Sequence, residues 1–198
     1  MKKSNHAVPI LEKNKDKVQG KAMVEAALEI NHWCAGEVMY QGTDMRTGSA
    51  LEIYRSGVGR CGEEAVFVVN VMRSAGIPAR PVYVPRWSHC DDNHAWVEVW
   101  CDGDWHYLGA CEPEAVLDKG WFTNAASRAM MIGSRWYDRA MPDEKVIGKD
   151  GMNRIINLLG KYAKTRWITI TVEDLDGTPA AGAKVRAEVM NYGISRLQ

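Results

Sequence analysis

The 198 residues carry 25 Lys and Arg against 25 Asp and Glu, and a net charge of zero excludes an electrostatic case for nucleic acid or an anionic membrane as partner. With 46% hydrophobic and 25% charged residues, compositional disorder is excluded as well. No run approaches the roughly 18 apolar residues of a membrane span, and the opening MKKSNHAVPILEKNKDK holds no apolar run of signal-peptide type, so a soluble chain without a leader is expected.

Residues 1–15 are Lys-rich and aperiodic and read as a flexible arm. From Asp16 to about Trp33, Val18, Ala22, Val24, Ala26, Leu28 and Ile30 recur among good helix formers and predict an amphipathic helix. Ser49 with Glu52 three residues on is a capping-box pattern, which predicts a short helix stopped by Gly57 or Gly59. The run CGEEAVFVVNVMRSAGIPAR has acidic residues in its first turn, Ala65, Val66, Val69 and Met72 at helical spacing, and Gly76 then Pro78 to end it. It predicts a helix from about Cys61 to Ala75.

ARPVYV then reads as a strand. Residues 94–100 alternate, and Asp102-Gly103 turns the chain back into Trp105–Leu108, a hairpin by its turn chemistry. One helix ahead of an antiparallel meander is an α+β arrangement. Residues 114–150 hold apolar anchors but no sustained period, and a further short helix is predicted from Met152 to Tyr162. From Thr165 on, RWITITVEDLDGTPAAGAKVRAEVMNYG alternates like two strands around a Gly/Pro turn. This predicts three parts: the arm at 1–15, a catalytic-type domain at 16–164, and at 165–198 the opening hairpin of a truncated Ig-like or transthyretin-like β module, since a full sandwich needs roughly 100 residues.

Five cysteines, at 34, 61, 90, 101 and 111, form an odd set without a CxxC pair, which argues against a disulfide scaffold and a zinc ribbon. Cys61 stands where Gly57-Val58-Gly59-Arg60 enters the helix. A thiol there meets the unsatisfied N–H groups and the positive end of the helix dipole, so a lowered pKa and a primed nucleophile are expected, and the flanking glycines leave room for a substrate backbone. His94 heads the alternating strand HAWVEVW, and imidazole is the side chain suited to take a thiol proton near neutrality. His89 is the rival. Metal binding by His89, Cys90 and His94 with Cys111 or Cys34 is not supported by the H-C-x3-H spacing, so no metal or cofactor is expected.

GVGRCGEEAVFVVNVMRSAGIPARPVYV followed by NHAWVEVWCDGDWHYLGA resembles the transglutaminase-like superfamily of papain-like folds. The likeness is to bacterial-type members, over about residues 49–122, and RCGE with ACEPEAVLDKGW also resembles the peptide:N-glycanase branch. The resemblance implies a nucleophile at Cys61, a base at His94, and hydrolysis or acyl transfer at an amide carbon of a protein, peptide or glycopeptide through a thioester. Relatives of this type are often exported, while the free thiols suit either compartment, so the sequence leaves the localisation open, extracytoplasmic if a leader precedes this chain. The superfamily's Asp that orients the histidine falls here on Gly109. With a turn at Asp102-Gly103 alone, His94 faces Cys111; with a three-residue loop it faces Glu112, which could then hold the ring. Asp91 and Asp92 are the alternatives.

The N–H of Cys61 is one oxyanion donor by geometry, and His32, Trp33, Tyr40 and Gln41 stand upstream, where relatives supply the second. Of the Trp group at 87, 96, 100, 105 and 121, Trp87 and Trp96 flank the polar loop and are expected to line the substrate cleft. Glu98, on the same strand face as His94, is expected to be tied to Arg80 or Arg86. The missing Asp leaves open a second reading, a protein- or glycan-binding module that retains the fold without turnover.

Overall fold

The computed structural model describes residues 18–42, 46–137, 142–185, 188–190 and 194–196; the expected N-terminal arm lies outside them. Helix α1 spans Met23–Glu37, β1 Met39–Tyr40, α2 Ala50–Ser56, β2 Val58–Gly59 and α3 Cys61–Ser74. Strands β3 Ala79–Val84, β4 His94–Cys101 and β5 Asp104–Leu108 follow, then one turn of helix, α4 Thr123–Ala126. The remainder is β6 Gly133–Trp136, β7 Val146–Asp150, β8 Asn153–Asn157, α5 Leu159–Tyr162, β9 Glu188–Met190 and β10 Ile194–Arg196.

The expected α+β class is what forms. Helix α2 begins on the capping box, with Ser49 Oγ accepting from Glu52 N and Glu52 Oε2 accepting from Ser49 N, and it ends at Gly57 in the left-handed region. Helix α3 starts at Cys61 because Glu63 reaches back over the turn: its carboxylate accepts from Arg60 N at 3.1 Å and from Gly48 N at 3.0 Å. That ties the 46–48 loop to the helix start.

Six strands form one antiparallel sheet in the order β5-β4-β3-β6-β8-β7. Helices α1, α2 and α3 pack on one face, around Phe67, Val68, Val71, Met72, Ile30, Val97 and Val99. The other face buries Trp96, Trp87, Phe122, Ile132, Ile156 and Leu158. The alternation of β4 therefore splits its residues cleanly: 95, 97, 99 and 101 face the helices, while 94, 96, 98 and 100 face the second core.

The expected helix at 152–162 is a correction. Asn153–Asn157 is a strand between β6 and β7, and only Leu159–Tyr162 is helical. Asp150-Gly151 is a hairpin signal, and Gly151 indeed has φ +59°. The adjacent Ile155 and Ile156 fit a doubly flanked strand better than a helix face. From residue 165 to 179 the chain is exposed, with Trp167 and Ile168 open to solvent. An Asp174–Thr178 turn closes a bridge between Glu173 and Pro179, and β9 pairs with β10.

Candidate active site

Helix α3 delivers Cys61 to the edge of β4. Trp100 N donates to Pro78 O on the β3 side, so the even-numbered residues of β4 direct their peptide groups toward β3 and the odd-numbered ones toward β5. Strand β5 leaves the sheet after Leu108, paired with Val97, so the N–H of Ala95 has no strand partner on that side. The Ala95 and Gly62 N–H groups lie near enough to the Cys61 thiol to favour its thiolate. The thiol thus lies near the residue that follows His94.

The expected lowering of the thiol pKa is not met. Burial pushes Cys61 above its ordinary value, outweighing the Ala95 and Gly62 N–H groups and the Arg60 charge. His94 is 6% exposed, and the same desolvation pushes its imidazole down to about 4, against an opposing pull from the Asp92 charge. Both groups are therefore held toward their neutral forms, a thiol and an imidazole. His94 Nε2 is buried and has no hydrogen-bond partner among the described residues.

Four aromatic rings surround the imidazole. Trp121 and Phe122 lie at centroid distances of 4.7 and 5.0 Å, Trp96 and Trp87 at 5.9 and 6.3 Å. The expected cleft walls need correcting here. Trp87 and Trp96 are 2% and 0% exposed; they form the floor under His94 and offer no surface to a substrate. Trp96 stacks at 4.8 Å on Phe122, and its Nε1 donates to Tyr162 Oη at 2.9 Å. The ring that reaches solvent is Trp121, 63% exposed. Nothing in its local sequence set it apart from the other tryptophans.

The hairpin has the two-residue turn at Asp102-Gly103, with Cys101 paired to Asp104, the register whose extension sets His94 opposite Cys111. The chain does not continue straight: it turns at 109–112, with Glu112 N donating to Gly109 O at 3.2 Å and Cys111 at φ +57°. Glu112 folds over that turn so that its Oε2 stands where a Cβ on residue 109 would be. Its Oε1 accepts from Trp121 Nε1 at 3.0 Å, while Oε2 is buried without a partner among the described residues. Glu112 and His94 thus lean on the same indole, each with an unpartnered buried atom, and no hydrogen bond joins them.

Glu64, one turn after Cys61 and 4% exposed, adds a second carboxyl. Burial, then the Glu112 charge, pushes it up to about 8. Asp91 is engaged by Arg86, so the Asp92 carboxylate is the one whose field reaches the imidazole. Glu98 is tied to Arg80, as expected: Arg80 Nε donates to its Oε2 at 2.6 Å, and Tyr162 Oη to its Oε1 at 2.6 Å. Of the upstream residues, Trp33 is packed against Tyr54 and Phe67. Tyr40 and Gln41 instead run beside the nucleophile loop, Tyr40 paired with Gly59 and Gln41 N donating to Gly59 O at 2.9 Å.

The family model described as the transglutaminase-like superfamily matches residues 12–110. No curated protein matches the sequence. Among solved structures, the chain is similar to a candidate cysteine protease from Cytophaga hutchinsonii, at 18% identity and TM-score 0.41, over 79% of this chain and 64% of that one. It is also similar to Legionella pneumophila LapG, at 15% identity and TM-score 0.45, over 58% of this chain and 70% of that one. A third is a candidate protease from Parabacteroides distasonis, at 18% identity and TM-score 0.43, over 65% of this chain and 28% of that one. The chain thus spans less than two thirds of the length of the Cytophaga and Parabacteroides proteins.

Proposed function

The chain belongs to the transglutaminase-like superfamily, and from that premise we propose that it is a thiol-dependent amide-bond hydrolase or acyl transferase with Cys61 as nucleophile and His94 as base. The observation that supports this reading is the nearness of the Cys61 thiol to the N–H of Ala95, the residue that follows His94 on β4.

Because both groups rest neutral, His94 acts as a general base and not as half of a standing ion pair. As the sulfur attacks the amide carbon, the thiol proton passes to the imidazole. The C–N bond then breaks as the imidazolium returns that proton to the leaving nitrogen. A thioester on Cys61 remains, and water or an amine, deprotonated by the same imidazole, releases the acyl group. The N–H of Cys61 at the start of α3 offers one oxyanion donor, and Tyr40 or Gln41 supplies the second.

Glu112 is the residue that orients His94. Its carboxylate occupies the space over Gly109, the position where the superfamily's Asp would stand, and its Oε2 and the His94 Nε2 are the two buried atoms of this site left without partners. Joining them satisfies both, and a developing imidazolium gains an acceptor at its far nitrogen. Trp121 covers the pair and presents the exposed aromatic wall to substrate. The residues from 165 on are read as a separate β module and take no part in the chemistry. Substrates are proteins, peptides or glycopeptides.

The test is the rate at which iodoacetamide labels Cys61, followed at its own peptide by mass spectrometry. His94→Ala is expected to slow it at least tenfold near pH 7, the lower range of a general-base contribution being about a hundredfold. A rate unaffected by His94→Ala, in a folded protein, would remove the catalytic reading and leave a binding module.

A further inference from the structure

Helix α1 is packed against the active-site helix, and one polar side chain on it faces inward. Asn31 is 1% exposed, between the buried Ala27, Ile30 and Cys34. Its Nδ2 donates to Gly109 O at 2.9 Å and to Glu112 O at 3.3 Å, and its Oδ1 accepts from Cys111 N at 3.1 Å. A buried amide has to be hydrogen-bonded somewhere. What is specific here is that all three bonds fall on one four-residue turn, reached across roughly 80 positions of sequence, and that this turn carries Glu112.

We infer that Asn31 is the positioning residue of the active site, holding the 109–112 turn in the one shape that lays the Glu112 carboxylate over Gly109 and toward His94. The turn does not hold that shape by itself. Cys111 sits in the left-handed region at φ +57°, which costs a non-glycine residue about 1–2 kcal/mol. Its own closing bond, Glu112 N to Gly109 O, is long at 3.2 Å. The Asn31 amide binds the carbonyls at both ends of the turn and the N–H in the middle, so it opposes relaxation of Cys111 toward an extended conformation. Such relaxation would swing Glu112 off Gly109 and away from the indole of Trp121. The inference rests on the proposed role of Glu112, and a side chain misplaced by about 1 Å can cost on the order of a hundredfold in rate.

The test compares Asn31→Ser, Glu112→Gln and the double variant with the unaltered chain. It reads the His94-dependent part of Cys61 labelling by iodoacetamide from about pH 5 to about pH 8, with thermal unfolding as the check on folding. Asn31→Ser and Glu112→Gln are each expected to lower that rate about tenfold. The double variant is expected to be no slower than the slower single, because both remove the same contact. Multiplying losses in the double variant, or a folded Asn31→Ser with the full rate and unaltered pH profile, overturns the inference. If Asn31→Ser does not fold, Asn31→Asp replaces it in the same comparison, since it keeps the acceptor for Cys111 N and loses both donors. A silent Glu112→Gln overturns the inference together with the role of Glu112; a slow Glu112→Gln beside a silent Asn31→Ser overturns the clamp alone.

Discussion

The carboxylate of Glu112 fills the space over the Cα of Gly109, so close that any side chain at residue 109 would collide with it. The absence of a side chain at residue 109 is what lets Glu112 lie there, and the orienting role proposed for Glu112 makes exchange of the acid between the two positions a direct test.

Gly109→Ala is expected to displace Glu112, costing about 1–3 kcal/mol of stability as an overpacked site does and lowering the His94-dependent rate about tenfold. Because the Cβ of Glu112 would also lie 2.8 Å from a Cβ at residue 109, the double variant Glu112→Gly with Gly109→Asp is the one that moves the carboxylate back to residue 109, and it is expected to recover most of that rate. Thermal melts and Cys61 labelling read both effects; a double variant as slow as Glu112→Gly alone speaks against the exchange.

Asp92 and Glu112 make separable claims on His94. Asp92 acts through its charge on a partly exposed loop, where salt screens it, so Asp92→Asn is expected to change the rate less than threefold at physiological ionic strength, an effect of roughly 0.6 kcal/mol or less. Glu112→Gln is expected to cost about tenfold. The reverse ranking in a labelling assay would transfer the orienting role to Asp92.

The pH dependence follows from the neutral resting pair. An imidazole held down to about 4 remains a base through the weakly acidic range, so the His94-dependent rate is expected to persist below pH 6 and to disappear as His94 protonates near pH 4. An acid limb centred near the ordinary histidine value of about 6.5 would mean that the ring is solvated as it works.

Stability responds to the same burial from two sides. Glu64 has its folded value raised from 4.5 to about 8, so folding favours its protonated form; that contribution is whole below pH 4.5 and is lost as the pH rises through about 8. His94 has its folded value lowered from 6.5 to about 4, so its contribution is whole above pH 6.5 and is lost as the pH falls through about 4. Glu64→Gln is expected to flatten the decline in stability between pH 4.5 and about 8, gaining on the order of 1–3 kcal/mol near pH 8.5. Melting curves across pH show this directly, and a decline as steep over that range in Glu64→Gln as before would contradict it.

Trp121 is mostly exposed, so its contribution to folding is small and its contribution to the site is local. Trp121→Phe keeps the ring over His94 and loses the hydrogen bond to Glu112, which changes stability by about 1 kcal/mol or less. The rate is expected to fall more in Trp121→Ala than in Trp121→Phe. Equal rates in both variants would separate the indole from the mechanism.

The amino-acid sequence by itself determined the helix that begins at Cys61, the strand that begins at His94, the Asp102-Gly103 hairpin and the α+β class. Each of these is written in local terms, as a period, a cap or a turn dipeptide, and local terms can be read without neighbours. The same kind of signal stands at Asp150-Gly151, where the apolar residues that follow also fit a helix face and a strand forms. Tertiary structure alone decided the rest of the site. Trp87 and Trp96 went under the histidine and Trp121 above it because the second core fills one face of β4, and no property of a single tryptophan records which face its neighbours will cover. Burial raised the Cys61 thiol although its place at a helix start argued for the opposite, since desolvation depends on what packs over the helix end and not on the helix. Glu112 came to lie over Gly109 because the chain turns at Cys111 in a shape held by Asn31, a residue of another helix whose three bonds exist only once the sheet and helices have closed around them.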